Sequence, residues 1–189
     1  MLATAGIEYV AGVDEAGRGP VAGPVTAAAV ILPVAAVIEG VRDSKLLSER
    51  RRESVAEDIR AAAVDFSVAH VANDTIDSVN ILNATRLAVR MAVESLKIKP
   101  GAVLIDGKFL NLKDRTCISI VKGDSTVFSI AAASILAKTA RDRLMHSYAE
   151  EFPQYSFERN KGYLTAEHLR AIRRHGFSPI HRKSFSVTL

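Results

Sequence analysis

Three short apolar runs in this chain each end on an acid. Tyr9–Val13 precedes Asp14, Ala102–Ile105 precedes Asp106, and Cys117–Val121 leads through Lys122-Gly123 to Asp124. Short apolar runs bounded by turn residues read as buried strands. In open α/β sheets, ligand sites gather beyond the carboxyl ends of strands. If the three strands are neighbours that share a direction, Asp14, the adjoining Glu15, Asp106 and Asp124 converge on one cluster. Singly, each aspartate reads equally as a turn cap, above all Asp106 before Gly107. Side chains alternate across a sheet, so Asp14 and Glu15 both face the cluster only if Glu15 already lies in the following turn.

That turn is Ala16-Gly17-Arg18-Gly19-Pro20-Val21-Ala22-Gly23-Pro24. Glycine amides and an arginine attract phosphate, whereas carboxylates attract divalent cations. The plainer reading, surface polarity beside an ordinary turn, stands against it for this segment alone. Four clustered carboxylates are costly unless cations neutralise them. Oxygen-only ligation favours Mg²⁺ or Mn²⁺ over zinc. Two such ions about 4 Å apart suit in-line phosphodiester hydrolysis.

Charge is unevenly spread. Residues 1–95 carry 9 Lys+Arg against 13 Asp+Glu, and residues 96–189 carry 16 against 8, for an overall +4. A basic second half suits a polyanion such as nucleic acid. The single Cys117 excludes an intramolecular disulfide framework and fits a reducing, cytoplasmic setting. The uncharged run Gly19–Ile38 contains Pro20, Pro24 and Pro33. It is therefore read as turn and buried strand rather than a membrane span.

Periodicity predicts strands at Ile7–Asp14, Val25–Leu32, Phe66–Val71, Ala102–Ile105 and Cys117–Val121. Ser48 caps a charged helix over 49–63, and Asp74 caps a long one to about Leu96. Phe128, Ala132, Leu136, Ala140, Leu144 and Tyr148 mark one face of a third helix over 126–150. Thr165 caps a last helix to about His175. The order β-β-α-β-α-β-β-α-α implies one α/β domain, a mixed sheet flanked by helices. Residues 1–150 form the main domain, and residues 151–189 a C-terminal helical appendage packed on it.

At this point the chain resembles a known family, the bacterial ribonucleases HII. The resemblance is carried by Asp14-Glu15-Ala16-Gly17-Arg18-Gly19-Pro20, Asp43-Ser44-Lys45, Asn80 to Thr85 and Leu104-Ile105-Asp106-Gly107-Lys108. It continues through Lys122-Gly123-Asp124, Ala131 to Lys138 with Arg141-Asp142-Arg143, and Lys161-Gly162-Tyr163. It implies a ribonuclease H-like five-stranded fold and a divalent-metal-dependent endoribonuclease; a monomer is the default expectation. The implied substrates are RNA–DNA hybrids and duplex DNA containing single ribonucleotides, cut on the 5′ side to leave 3′-hydroxyl and 5′-phosphate ends. Asp14, Glu15, Asp106 and Asp124 are its implied metal-binding and catalytic acids. Gly17, Arg18 and Gly19 would sense the 2′-OH and junction phosphate, and Tyr163 the junction sugar. Lys45, Lys122 and Ser125 are further implied substrate contacts.

Lys138, Arg141 and Arg143 are phosphate candidates, although Lys138 and Arg141 could equally cover their own helix face. His168, His175 and His181 lack metal-ligand spacing and read as surface or packing residues. Two other functions compete. A non-catalytic binding module would use the basic half but gain nothing from acids near phosphates. A junction resolvase on the same scaffold would ignore a lone ribonucleotide.

Overall fold

The computed structural model describes residues 8–41, 47–107 and 116–188. Five strands form one sheet: β1 (Val10–Ala16), β2 (Val25–Ile31), β3 (Asp65–Val71), β4 (Ala102–Asp106) and β5 (Thr116–Ile120). Their spatial order is β3-β2-β1-β4-β5. The β1–β2 and β2–β3 pairs are antiparallel, whereas β1, β4 and β5 run parallel side by side. The three acid-terminated strands are thus neighbours sharing one direction, and their carboxyl ends share one edge. The sheet is the mixed, helix-flanked one expected.

The helices are α1 (Glu49–Ala62), α2 (Asn73–Glu94), the single turn α3 (Gly123–Thr126), α4 (Phe128–Glu151), the short α5 (Phe157–Asn160) and α6 (Ala166–His175). Strand β2 is buried along its whole length because both faces are covered. Val25, Ala27, Ala29 and Ile31 meet Ile76, Ala88 and Val89 of α2 on one face. Ala28 and Val30 meet α1 and the alanine-rich start of α4 on the other. This alternation follows from the two-residue pleat. Ala11, Val13 and Ile105 belong to the α2 face, which leaves Gly12, Asp14 and Asp106 for the face that α4 covers.

Gly12 decides how close α4 comes. A Cβ there would sit 2.2 Å from the Ser129 carbonyl carbon and 2.6 Å from the Ile130 nitrogen. Only a bare backbone lets the helix lie directly on β1, and that contact places α4 residues over the strand end. Beyond α4, Tyr155, Phe157, Ile172 and Ile180 pack with Met145 and Ala22 in a separate small core. Through it residues 151–188 rest on the back of the glycine-rich turn.

Three local expectations are corrected. The long helix after β3 is broken at Asn80 (φ 67°, ψ 164°). This backbone is strained for any residue but glycine, and the Asn80 side chain accepts from Asn83 N at 3.1 Å, so it caps a second helix. The helix begins at Asn73, after Ala72 rather than at a capping Asp74. Glu15, expected in the turn, remains in β1, where it pairs with Ala27. Strand β1 keeps its partner β2 as far as Ala16, whereas pairing with β4 ends at Val13–Ile105. Glu15 therefore has no strand beside it on the β4 side.

Candidate active site

Asp14 is 5% exposed at the end of β1. Its carboxyl accepts from the Glu15 N–H at 2.7 Å and bonds to Ser134 of α4. Burial, then the charges of Glu15 and Asp106, pushes Asp14 up to about 8 despite those hydrogen bonds. Burial also raises Glu15; Asp106 adds to the rise, and Arg18, whose Nη1 lies 3.2 Å from Glu15 Oε1, opposes it. Asp106, at the end of β4, accepts from the Gly123 N–H at 2.6 Å. Asp14, Glu15 and Asp106 therefore act on one another as a repelling set of oxygen donors.

Asp124 follows at the next residue after Gly123, in the one-turn α3. It accepts from the Ser125 hydroxyl at 3.2 Å and lines a small cavity with Ser125, Phe128 and Ala131. Lys122, exposed and left-handed (φ 56°), makes the joint that turns β5 into α3. Lys45 lies outside the described residues, as do Asp43, Ser44 and Lys108.

The donor set matches a hard divalent cation in kind: all oxygen, anionic, and strained by mutual repulsion. As arranged, no three His, Cys, Asp or Glu side chains among the described residues stand close enough to hold an ion. Glu15 is turned onto Arg18 and Asp106 onto Gly123. An arriving cation would draw these two carboxylates off internal partners.

Beside the acids lies a cavity of about 330 Å³, lined by Glu15, Gly17, Arg52, Ser134, Lys138, Arg141 and Tyr163. Gly17 has φ 92°, and a Cβ there would meet Arg141 Nε at 2.1 Å. The turn needs glycine for both conformation and space. Arg18 is half-exposed, and the ring of Tyr163, 49% exposed, lies 3.6 Å from the Cβ position of Gly19.

Not every candidate cation is available to a ligand in this cavity. Arg141 is buried and donates to the Pro24 and Ala22 carbonyls at 3.0 and 3.1 Å, so it braces the turn from behind. Arg143 is taken up by Glu53 and Glu57 of α1. Lys138 lines the cavity while bound to the buried Asp142, which also holds Arg52 at 3.2 Å. Burial draws the Lys138 amine down from its ordinary value. The sequence reading gave Ser134 no role. Its spacing four residues before Lys138 on one helix face was the available signal.

His168 and His181 are fully buried, while His175 is exposed. The Ser178 N–H donates to His181 Nδ1 at 2.8 Å, so His181 carries its proton on Nε2. That nitrogen lies 3.0 Å from His168 Nε2, leaving His168 to donate from Nδ1 to the Tyr163 carbonyl at 2.9 Å. Both rings are neutral in this chain of bonds. Burial, and then His168, lowers His181 to about 4, and burial lowers His168. The unfolded chain takes up these protons near pH 6.5. Stability is therefore full above that pH and is lost as pH falls toward 4. The raised Asp14 acts in the opposite sense over this range, so the histidine contribution is read against a variant: between pH 7.5 and pH 5 the unaltered protein should lose about 1 to 2 kcal/mol relative to His181→Gln. Identical pH responses of the two melts would rule out the neutral pair.

The family model for ribonuclease HII matches residues 11–188. A ribonuclease HII from Pelodictyon phaeoclathratiforme is 56% identical over 184 residues, covering 94% of this chain and 89% of that protein. Among solved structures, ribonuclease H2 from Pyrococcus horikoshii OT3 is similar with a TM-score of 0.80 and 28% identity, covering 94% of each chain. The PCNA:RNase HII complex from Archaeoglobus fulgidus gives 0.79 and 25%, covering 96% of this chain and 97% of that one. With its mixed sheet and the extent of these matches, the chain belongs to the ribonuclease HII family and is a ribonuclease H enzyme.

Proposed function

We propose that this enzyme hydrolyses the RNA strand of RNA–DNA hybrids and incises on the 5′ side of single ribonucleotides embedded in duplex DNA. One observation carries the reading. Three mutually repelling carboxylates at the ends of parallel strands adjoin a cavity that also contains Gly17 and Tyr163. Asp14, Glu15, Asp106 and Asp124 would hold Mg²⁺ or Mn²⁺. When bound, such ions supply the positive charge that in-line attack on a phosphodiester requires.

The chain's own groups bind and orient. Ser134 and the Glu15 N–H fix Asp14 in one rotamer. The turn at Gly17, Arg18 and Gly19 offers backbone groups at close range to the one group that distinguishes RNA from DNA, the 2′-OH. Arg18, half-exposed beside Glu15, would meet the neighbouring phosphate. The half-exposed ring of Tyr163 stacks near the sugar on the far side of the junction. Lys45, Lys122 and Ser125 contact the flanking backbone, and the enzyme works as a monomer.

Incubation with hybrid, all-RNA and all-DNA duplexes in Mg²⁺ or Mn²⁺ tests the substrate class. Cleavage of the RNA strand of the hybrid alone is expected. Cutting of the all-DNA duplex would refute the reading. Tyr163→Ala should slow incision at a single ribonucleotide about tenfold or more, since base- or sugar-stacking aromatics contribute about 1–3 kcal/mol each. An unaltered rate in single-turnover assays would remove Tyr163 from the site.

A further inference from the structure

The carbonyl oxygens of the glycine-rich turn face two buried guanidinium groups. Arg182 donates from Nη2 to Gly17 O at 2.6 Å, from Nη1 to Arg18 O at 3.1 Å and from Nε to Gly23 O at 2.9 Å. Arg141 takes the Ala22 and Pro24 carbonyls beside it. Each arginine is 1% exposed, and among the described residues no carboxylate lies within ion-pair distance of either. Burying two neighbouring cations on carbonyls, with the Phe185 ring 5.0 Å from the Arg182 guanidinium carbon, is costly without a carboxylate partner. Burial, and then Arg141, draws Arg182 down to about 9. Apolar side chains would fill the same space at less cost, so the arrangement calls for a reason beyond packing.

Peptide geometry supplies one. The bonds here are trans, and in a planar trans peptide the C=O and the following N–H point in opposite directions. Arg182 holds the carbonyls of Gly17 and Arg18. The N–H groups of Arg18 and Gly19 are thereby turned to the opposite side of the turn. A guanidinium fork fixes two successive peptide planes where an ammonium would fix one.

Arg182 belongs to a tail that is itself tied down. The Arg182 N–H bonds to Val21 O at 2.8 Å, and the Gly23 N–H to Ile180 O at 2.9 Å. Asn73 at the start of α2 donates to the Pro179 and His181 carbonyls at 2.9 and 3.2 Å. Asp77, one turn on, accepts from the Lys183 and Ser184 N–H groups, both at 2.9 Å. Through His181 and His168 the same tail reaches the Tyr163 carbonyl. This one segment thus connects α2 to both the turn and the tyrosine.

We propose that residues 178–184 form a positioning strap, in which Arg182 sets the peptide planes of Gly17–Gly19 and thereby the selectivity for a single ribonucleotide. This rests on the reading that the turn senses a 2′-OH. A long hybrid offers a 2′-OH at every register, so a misaligned turn still finds productive positions there. A lone ribonucleotide offers one.

The test measures single-turnover rates and KM for the full chain, Arg182→Lys and Asp77→Ala on a one-ribonucleotide DNA duplex and on a long RNA–DNA hybrid. Circular dichroism melts monitor folding. Arg182→Lys should slow the one-ribonucleotide duplex about a hundredfold and the hybrid about tenfold or less, as expected for a displacement of the order of 1 Å. Asp77→Ala loosens the strap at the surface and should shift the same ratio less, about threefold. Equal losses on both substrates, or a ratio unchanged in both variants, would overturn the strap. If Arg182→Lys does not fold, the Asp77→Ala ratio decides in the same way. Failure of the unaltered enzyme to cut the one-ribonucleotide duplex while it cuts the hybrid would instead overturn the reading beneath the proposal.

Discussion

Replacing Asp14 by asparagine should lower the cleavage rate about a thousandfold and raise the melting temperature of the cation-free protein. The first effect follows from removing a charge at the reacting phosphodiester, where a single electrostatic group is worth about 10²–10³ in rate. The second follows from the burial, and then the repulsion by Glu15 and Asp106, that lift the Asp14 carboxyl to about 8. The amide oxygen of the substituted side chain can still accept from Ser134 and the Glu15 N–H while carrying no charge toward Glu15 and Asp106. The melting temperature should rise by a few degrees, because about 1 kcal/mol moves a chain of this length by about 2–4 °C. Added Mn²⁺ should stabilise the unaltered enzyme more than the variant. Retained activity, or lost activity with a lower melting temperature, would show that Asp14 acts through folding rather than through charge.

Gly12→Ala is the second large effect, and it acts through packing. The new methyl would lie 2.2–2.6 Å from three backbone atoms of Ser129 and Ile130. Backbone cannot rotate away as a flexible side chain can, so α4 must lift off β1. The cost should be about 3 kcal/mol or more, at the upper end for overpacking. Activity should fall even in the folded fraction, because Ser134 and Lys138 ride on the displaced helix. Denaturant unfolding together with specific activity would check this. A stable variant with full activity would mean that α4 need not lie so close.

The two effects meet at the part of the molecule that was most legible from sequence. An apolar run ending in an acid identifies a buried strand and its polar terminus together, so Asp14 and Asp106 are legible as strand-end acids from pattern alone, whereas Asp124 lies beyond β5 in α3. Parallel neighbours β1, β4 and β5 then bring the strand ends to one edge. Features that depend on distant partners were not legible. Nothing local says that β1 keeps its partner β2 as far as Ala16, so the pattern puts Glu15 in the turn although it remains paired with Ala27. Nothing local separates Arg141, buried against the carbonyls of Ala22 and Pro24, from Arg143 two residues on, which meets Glu53 and Glu57 of α1. Both are arginines on one helix, and only the tertiary fold assigns them different work. Asn80 lies between these cases. Its residue type favours a helix N-cap, but an apolar period that continues past it gives no cause to break the helix there.

Residues 31–41 and α2 expose apolar side chains, notably Val34, Val37, Leu82 and Met91. No helix among the described residues is long and apolar enough to cross a membrane. The basic half of the chain carries Arg170, Arg173 and Arg174 on α6, in the part of the chain that also supplies Tyr163. A phosphate backbone engaged there would make substrate affinity fall with added salt.

The acids and the turn are proposed to divide the labour, the acids holding the cations that cut and the turn selecting the nucleotide. A DNA duplex carrying one ribonucleotide, incubated with Mg²⁺, with Mn²⁺ and with chelator, and with its ends mapped, tests both halves at once. Incision on the 5′ side of the ribonucleotide, leaving 3′-hydroxyl and 5′-phosphate ends and abolished by chelator, is the expected result. Cleavage that persists in chelator, or an intact ribonucleotide strand under conditions that degrade a long hybrid, would contradict it.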